Sequence, residues 1–558
     1  MAIQVSGSTV IHDSQDVQVS GMFTASSFVG DASQLTNLPA SGGTLEATAS
    51  GTLADGDPVV VNTDGTVSAI SQSGFDAWIA SLGATSIKVD SSGNIYTCGY
   101  SNSIGQGSNE IFLVKYNSSG VIQWQRSLGG TASDYGYGLA LDSSGGVYVG
   151  GMTTSIGNAS NYFFLAKYDS SGTIQWQRAL GSNNNDQGNN VATDSSDNVY
   201  ICGTSATSGA GAEELILIKY NSSGTQQWQR RLGGSANDVA RGVTTDSSDN
   251  VYVCGSTNSV TSGSDALIVK YDSSGNIQWQ RILYGSTQSD NARKIAVDSS
   301  GNVYVVGDTS SSGQGYSDLL IAKYDSSGNI QWQRTLGGTI NEYGYGVAVD
   351  SSGGVYVGAT TNSVVTYDND ILVAKYNSSG TIQWQRYLTA AGGYEMLYDL
   401  TIDDSGSLYI GGNITVKLPD DGSSTGTYGT YTYAASSLTD ASSSLTSVNA
   451  GLYLTAGTSY VAEQSVSLTD AASNLTSTKT TISSLVQNLT AENFIGISNG
   501  AYSDGQTATI QVTGSVDDSQ SGLTAGQAYY VQDNGTLGES GSVFAGTAVS
   551  ASKIIVKG

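Results

Sequence analysis

A mainly β chain whose middle closes into a seven-bladed propeller is what three regular spacings predict. Tryptophan stands at 78, 124, 176, 228, 279, 332 and 384, and five of the six intervals are 51 to 53 residues. Aspartates that open DSSG, DSSD or DDSG turns keep the same beat at Asp90, Asp142, Asp194, Asp246, Asp298, Asp350 and Asp403. The third spacing is the lysine of a KY pair at 115, 167, 219, 270, 323 and 375, with Lys417 in a shorter last copy. One unit reads GVAVD (346–350), turn, GVYVG (354–358), loop, DILVAKYN (370–377), turn, TIQWQRYL (381–388), which is four short strands. Four strands in about 50 residues is the period of a propeller blade.

Composition agrees with many short strands joined by tight turns: glycine numbers 72 and proline 3 in 558 residues. With 47 acidic against 21 basic residues the formal net charge is −26, a field that repels phosphate backbones and anionic bilayers, so no nucleic acid is expected as partner. No run of about 18 apolar residues occurs, so no membrane insertion is expected, and the start, MAIQVSGSTVIHDSQ, has neither the basic nor the apolar region of a secretion signal.

The strand order predicts how the ring closes. FDAWIASLG (75–83) matches the last strand of a unit but precedes the first one, whereas the final unit (LYDLTIDDSG, SLYIGG, NITVKLP) lacks the QWQR phrase. The early strand should therefore complete the seventh blade. Within each unit the DSSG-type turns fall on one rim and the longer, variable loops on the other. Those loops, such as YSNSIGQGSNE (100–110) and DTSSSGQGYSD (308–318), are rich in Ser, Gly, Asn and Tyr, side chains suited to adaptable contact. On this loop rim the candidate ligand-binding residues are Tyr135, Tyr137, Tyr343, Tyr345, Tyr394 and Asp318; solvated turns without a ligand are the alternative.

Two further rings repeat. Acidic residues lie eight before the turn aspartate at Asp134, Asp186, Asp238, Asp290, Glu342 and Glu395, and arginines two after the tryptophan at Arg126, Arg178, Arg230, Arg281, Arg334 and Arg386. The first unit lacks both, having Leu82 and Ala80, so structural ion pairs between the rings are the favoured expectation. The alternative is a carboxylate ring that collects a cation or a sugar. Cys98, Cys202 and Cys254 occupy one strand position of three units and are expected to be inert core, not a disulfide framework. Tryptophans and KY pairs present in every unit are expected to be blade packing.

No catalytic residue, metal or cofactor is expected. The only histidine, His12, is outside the repeats, and GxSxG, HExxH and phosphate-loop motifs are absent. In YDSSGNIQW the tryptophan follows the aspartate by seven, unlike the SxDxGxxW box of sialidase-type glycosidases.

The unit resembles the bacterial SBBP seven-bladed propeller repeat, and more distantly NHL-type blades, through GVAVDSSGGVYVG and KYNSSGTIQWQR. Residues 19–39, VSGMFTASSFVGDASQLTNLP, resemble shaft segments of bacteriophage tail fibres. Such segments fold by intertwining three chains, so the resemblance implies a homotrimer, other virion proteins as partners and a virion location. Residues 45–70 and 490–558 each carry an apolar strand followed by an N/DG-type turn and are similar to a C-terminal module of marine phage structural proteins, with the propeller inserted between them.

The expected organisation is thus a β shaft for virion attachment (1–44), the first part of a sandwich- or barrel-like β module (45–72), the propeller (73–425), a Ser/Thr-rich linker with a helical segment (426–489) and the second part of the module (490–558). The helical expectation rests on Leu468, Leu475, Ile482 and Leu489, spaced by seven as in a short coiled coil, with a helical hairpin involving 436–449 as alternative. The whole is expected to be a trimeric phage tail fibre whose propeller contacts a host-surface glycan or protein. Rival expectations are a capsid decoration or neck fibre without a receptor, and an SBBP-propeller cell-surface adhesin.

Overall fold

The computed structural model describes residues 83–418 apart from 104–107, 157–159, 182–184, 207–212, 286, 364–368, 391–393 and 405, and beyond that span chiefly the strands named below. Two compact units divide the chain: Phe75–Ser483, and the segments Met1–Gly74 with Ser484–Gly558.

The first unit is the seven-bladed propeller. Blade 2 shows its plan, running outward from Asp134–Leu141 through Val147–Thr153 and Tyr162–Tyr168 to Ile174–Leu180, every pair antiparallel. The innermost strands of blades 1 and 3 to 6 are Ser86–Val89, Asp186–Thr193, Asp238–Thr245, Asp290–Val297 and Glu342–Val349. Blade 7 consists of Leu397–Ile402, Leu408–Gly412, Thr415–Leu418 and the early strand Trp78–Ala80, whose Ala80 lies opposite Thr415 and Trp78 opposite Lys417. The ring is thus closed by a strand from its own beginning.

Each blade is packed on both faces, so its second and third strands are almost wholly buried, as in Val251–Thr257 and Asp265–Tyr271. One apolar cluster joins Leu217 and Leu232 of blade 3 to Val253 and Leu267 of blade 4, and the same pattern recurs around the ring. The repeated polar residues tie turns to this core. Asp194 accepts the backbone N–H groups of Ser196 and Asn198, the hydroxyl of buried Tyr200 at 2.8 Å and an ion pair from Lys219 at 3.2 Å. Lys167–Asp142 at 2.9 Å and Lys375–Asp350 at 3.4 Å repeat that pair.

Between blades, Trp124 donates from Nε1 to the carbonyl of Ser170 at 3.2 Å, and Trp176, Trp228, Trp279 and Trp332 do the same to the next blade's turn. Gly172 closes such a turn at φ 78°, and a Cβ there would lie 2.8 Å from the Trp124 ring, so both backbone and packing demand glycine.

Cys98, Cys202 and Cys254 are buried free thiols, and burial pushes Cys98 and Cys254 up to about 12. All three should therefore ignore a thiol-reactive dye in the native protein and react together on unfolding; labelling before unfolding would contradict this.

The expected helical segment at 426–489 is instead a belt of strands, and the described residues contain no helix. After blade 7 the chain turns back and adds an outermost strand to every blade in reverse order. Tyr431–Ala435 joins blade 6, Thr439–Ser442 blade 5, Thr446–Asn449 blade 4, Thr455–Gly457 blade 3, Glu463–Gln464 blade 2, Thr469–Ala472 blade 1 and Lys479–Thr481 blade 7. A short additional strand, Gly426–Tyr428, pairs with Tyr431–Ala435.

Successive belt strands begin 6 to 10 residues apart, and each such interval is the step from one blade to the next. Seven extended residues reach roughly 23–25 Å, and a fifth strand sits about 19 Å outside the first, where neighbouring blades have diverged. Leu438 and Leu445 show the beat directly: Leu445 is buried against Leu283 and Trp279, Leu438 packs against the cluster of blades 5 and 6, and their carbonyls accept from Gln385 at 2.9 Å and Gln333 at 2.8 Å. Leu468, Leu475, Ile482 and Leu489 lie outside the described residues.

In the second unit Thr44–Thr48 pairs with Thr507–Gln511, and Pro58–Val61 with Phe494–Ser498 and Val67–Ala69. A further sheet holds Val516–Asp517, Lys553–Val556, Val543–Ser550, Ala528–Val531 and Leu537–Gly538. Ile497 of the first sheet shares an apolar cluster with Tyr529, Ile554 and Val556 of the other. Ile3–Val5 and Ser8–Ile11 form a hairpin, while the shaft-like stretch 19–39 lies outside the described residues.

Candidate functional site

The innermost strands enclose a cavity of about 430 Å³ along the propeller axis, lined mostly by Val, Ile, Leu, Ala and Thr. Four residues before each turn aspartate one layer of this channel reads Ser86, Gly138, Asn190, Gly242, Lys294, Gly346 and Asp399. Asp399 of blade 7 meets Lys294 of blade 5 at 3.0 Å and Lys88 of blade 1 at 3.5 Å, and accepts Ser86 Oγ at 2.7 Å. Gly346, in the blade between, carries no side chain at that layer. Burial alone would raise the Asp399 carboxyl, but Lys294 and then Lys88 hold it down to about 2. Two ammonium groups on one carboxylate leave this layer net positive.

One residue earlier, five before the turn aspartate, stand Thr85, Tyr137, Asn189, Arg241, Arg293, Tyr345 and Tyr398. In blades 2 to 7 this is the extra residue of a bulge: pairing slips between Gly136 and Gly138, and likewise around Asn189, Arg241, Arg293, Tyr345 and Tyr398. A bulge re-aims the side chain and frees it from the ladder. The result is an aromatic and cationic mouth on the loop side. Tyr135 and Tyr137 stack with centroids 6.0 Å apart, and Tyr100, 43% exposed, sits edge-on to Tyr135 at 4.7 Å. Arg293 lies 4.9 Å over Tyr345 and 5.8 Å over Tyr343, and Tyr345 meets Tyr398 edge-on at 6.2 Å. Arg293 Nε donates to Asp308 Oδ1, whose other oxygen accepts Asn291 Nδ2 at 3.0 Å.

Four of the expected ligand-binding residues, Tyr135, Tyr137, Tyr343 and Tyr345, therefore stand at this mouth. Tyr394 is exposed on the loop entering blade 7, its carbonyl accepting from Asn413 Nδ2. Asp318 is 1% exposed, accepting the N–H groups of Gln314 at 2.9 Å and Gly315 at 3.2 Å, so it caps its own loop and does not face solvent. Tyr100, Arg241, Arg293, Asp308 and Tyr398 escaped the sequence reading. Their signal is departure from the repeat at two aligned positions, five before the turn aspartate for Arg241, Arg293 and Tyr398 and ten after it for Tyr100 and Asp308.

Arg126, Arg230, Arg281 and Arg334, and Asp134, Asp238, Asp290 and Glu342, engage other partners in place of the expected salt bridges. Arg126, Arg178, Arg230, Arg281 and Arg334 donate from Nε to the carbonyls of Gly172, Gly224, Gly275, Gly328 and Gly380 in the next blade's turn at 2.6–2.7 Å. Arg126, Arg178, Arg230 and Arg281 also lie over their own tryptophans, as does Arg386 over Trp384 at 6.0 Å. The acids are buried where one blade passes to the next. Asp134 accepts Thr153 Oγ1, Ser155 Oγ at 2.8 Å and Gly130 N–H at 2.8 Å; Asp186 accepts Ser205 Oγ at 2.5 Å; Asp238 accepts Gly234 N–H at 2.7 Å. Asp290 and Glu342 receive Thr309 and Thr361 in the same way, and Glu395 is 4% exposed. Burial raises the carboxyls of Asp134, Asp238, Asp290 and Glu342.

Arg281→Ala should lower the melting temperature by a few degrees, about 1–2 kcal/mol, through loss of the Gly328 bond and the contact over Trp279. Unchanged calorimetry would show that the arginine is no tie between blades.

Comparison with known proteins matches six stretches, 80–105, 123–158, 175–208, 227–260, 278–313 and 331–364, to the SBBP family of beta-propeller repeats. An uncharacterized WD repeat-containing protein of Acanthamoeba polyphaga mimivirus is 23% identical over 246 residues, covering 32% of this chain and 18% of that protein. Regulatory protein FlaEY of Caulobacter vibrioides is 30% identical over 167 residues, covering 25% and 17%. The chain thus spans less than a fifth of the length of these curated relatives. Among solved structures, streptogramin B lyase is similar with a TM-score of 0.38 at 12% identity over 61% of this chain and 97% of its own. A gluconolactonase from Xanthomonas campestris gives 0.31 at 12% over 67% and 98%. The repeats of this chain are SBBP beta-propeller repeats, folded into seven blades.

Proposed function

We propose that this chain is a bacteriophage virion protein, a homotrimeric tail fibre or appendage held to other virion proteins by its N-terminal region, whose propeller attaches the particle to a host-surface glycan and performs no catalysis. The observation that carries the binding role is the mouth of the channel. Blades alike in turns, tryptophans and core differ at the bulged position, where tyrosine, arginine and asparagine replace any common residue. Aromatic faces beside guanidinium groups are the chemistry that holds sugar rings and their polar substituents. The one carboxylate of the channel layer is neutralised by two lysines, which unfits it as a general acid or base. The virion setting rests on the shaft-like residues 19–39, and the viral source of one relative is compatible with it.

Labelled full-length protein added to intact cells of a bacterial panel should bind some of them saturably, and Tyr137→Ala with Tyr345→Ala should abolish this. Light scattering should give three times 57.3 kDa. Failure to bind any cell would favour a decorative role on the particle.

A further inference from the structure

The loop-side mouth holds an imbalance of charge that its own residues do not resolve. Arg241 and Arg293 occupy the bulged position of adjacent blades, and these strands abut so closely that a Cβ on Gly242 would lie 3.2 Å from the Arg293 carbonyl. Arg293 has its counter-charge in Asp308, and both oxygens of that carboxylate are engaged, by Arg293 and by Asn291. Arg241 has no such partner at Nε, which is buried without a hydrogen-bond acceptor. Burial, and then the neighbouring Arg293 charge, push its proton affinity below that of an ordinary guanidinium. A buried donor of a charged group costs stability and calls for an explanation. In a chain of net charge −26, two guanidiniums beside one carboxylate are a local exception to the prevailing field.

We propose that Arg241 and Arg293 bind the carboxylate of an acidic saccharide, a uronic or sialic acid residue of a surface glycan. The planar fork of a guanidinium matches a carboxylate with two parallel bonds. Tyr343 and Tyr345 flank Arg293 within 6 Å, offering ring faces beside the charge for the pyranose itself. This inference rests on the attachment reading above and names its ligand class.

The test measures binding of the full-length protein to oligogalacturonate, to sialylated oligosaccharides, to sulfated heparin fragments and to neutral maltoheptaose by calorimetry, at low and high salt. At least one carboxylated probe should bind, more weakly as salt rises, and maltoheptaose should not. Arg241→Leu should weaken that binding about tenfold or more while leaving the melting temperature unchanged or higher, because it removes a buried donor that has no acceptor. Arg293→Gln, which also frees Asp308, should weaken it further. Equal binding of maltoheptaose, preference for heparin alone, or full binding by Arg241→Leu would each overturn the proposal. The parallel cell assay separates the two readings: cell binding that Arg241→Leu leaves intact overturns the acidic-sugar inference alone, whereas no cell binding by the native protein overturns attachment itself.

Discussion

Replacing Asp399 with asparagine should destabilise the propeller by about 3 kcal/mol at neutral pH, among the largest losses expected from one side chain. Asp399 is the sole carboxylate in its channel layer and pairs with both Lys294 and Lys88, while Ser86 Oγ and the Ile87 N–H also bond to it. Removing one member of a buried ionic group leaves the others uncompensated, at about 3–5 kcal/mol; partial exposure of Lys88 places the effect at the lower end. The sign of the pH dependence follows from the carboxyl being held down to about 2 in the folded state against 3.8 ordinarily. Its stabilisation is complete above about pH 4 and is lost as pH falls through about 2. Melting curves of native protein and Asp399→Asn should therefore converge on acidification across that window. Lys294→Met in the Asp399→Asn background should recover part of the loss at neutral pH. Variants that melt with the native protein at pH 7 would show the layer to be solvated and energetically idle.

Deleting residues 426–481 should have a different and equally severe outcome, self-association of an otherwise closed ring. The fourth strand of every blade is covered by the belt, as Arg334–Gly337 is by Thr439–Ser442 and Arg281–Tyr284 by Thr446–Asn449. Without it seven strands present unpaired N–H and C=O groups at once, the usual template for edge-to-edge pairing. Losing Leu445 also uncovers the core of blades 4 and 5. The deleted protein should sediment as aggregates, whereas Leu445→Ala should stay monodisperse but lose about 2–4 kcal/mol. A soluble, monodisperse deletion that melts like the native protein would mean the belt covers nothing of consequence.

The ring was legible because a blade is specified by residues close in sequence and then specified again six times. Even the closing strand Trp78–Ala80 was readable, since FDAWIASLG matches a phrase used in every blade. The belt was not. Its strands run from two to five residues, too short for an alternation to register, and their partners are 41 (Ala390 to Tyr431) to 403 (Trp78 to Thr481) residues away. Leu438 and Leu445, seven apart, lead into belt strands on neighbouring blades, so a helix-like period there measures distance around a ring. The arginines misled for another reason: their acceptors are glycine carbonyls, and a backbone acceptor leaves no trace in side-chain patterns. The mouth hid in positions where the repeat fails, and a search for recurrence passes over them.

The return of the belt to blade 7 has a mechanical consequence. Trp78–Ala80 and Lys479–Thr481 lie side by side, with Trp78 opposite Thr481, so both ends of the propeller unit leave from one end of one strand pair. A pull applied to both ends together loads the pair along its length, against the bonds that Trp78–Ala80 makes to Thr415–Leu418. Those bonds share the load simultaneously, so tension enters the ring as a shear on paired strands and not as a peel that opens them one bond at a time.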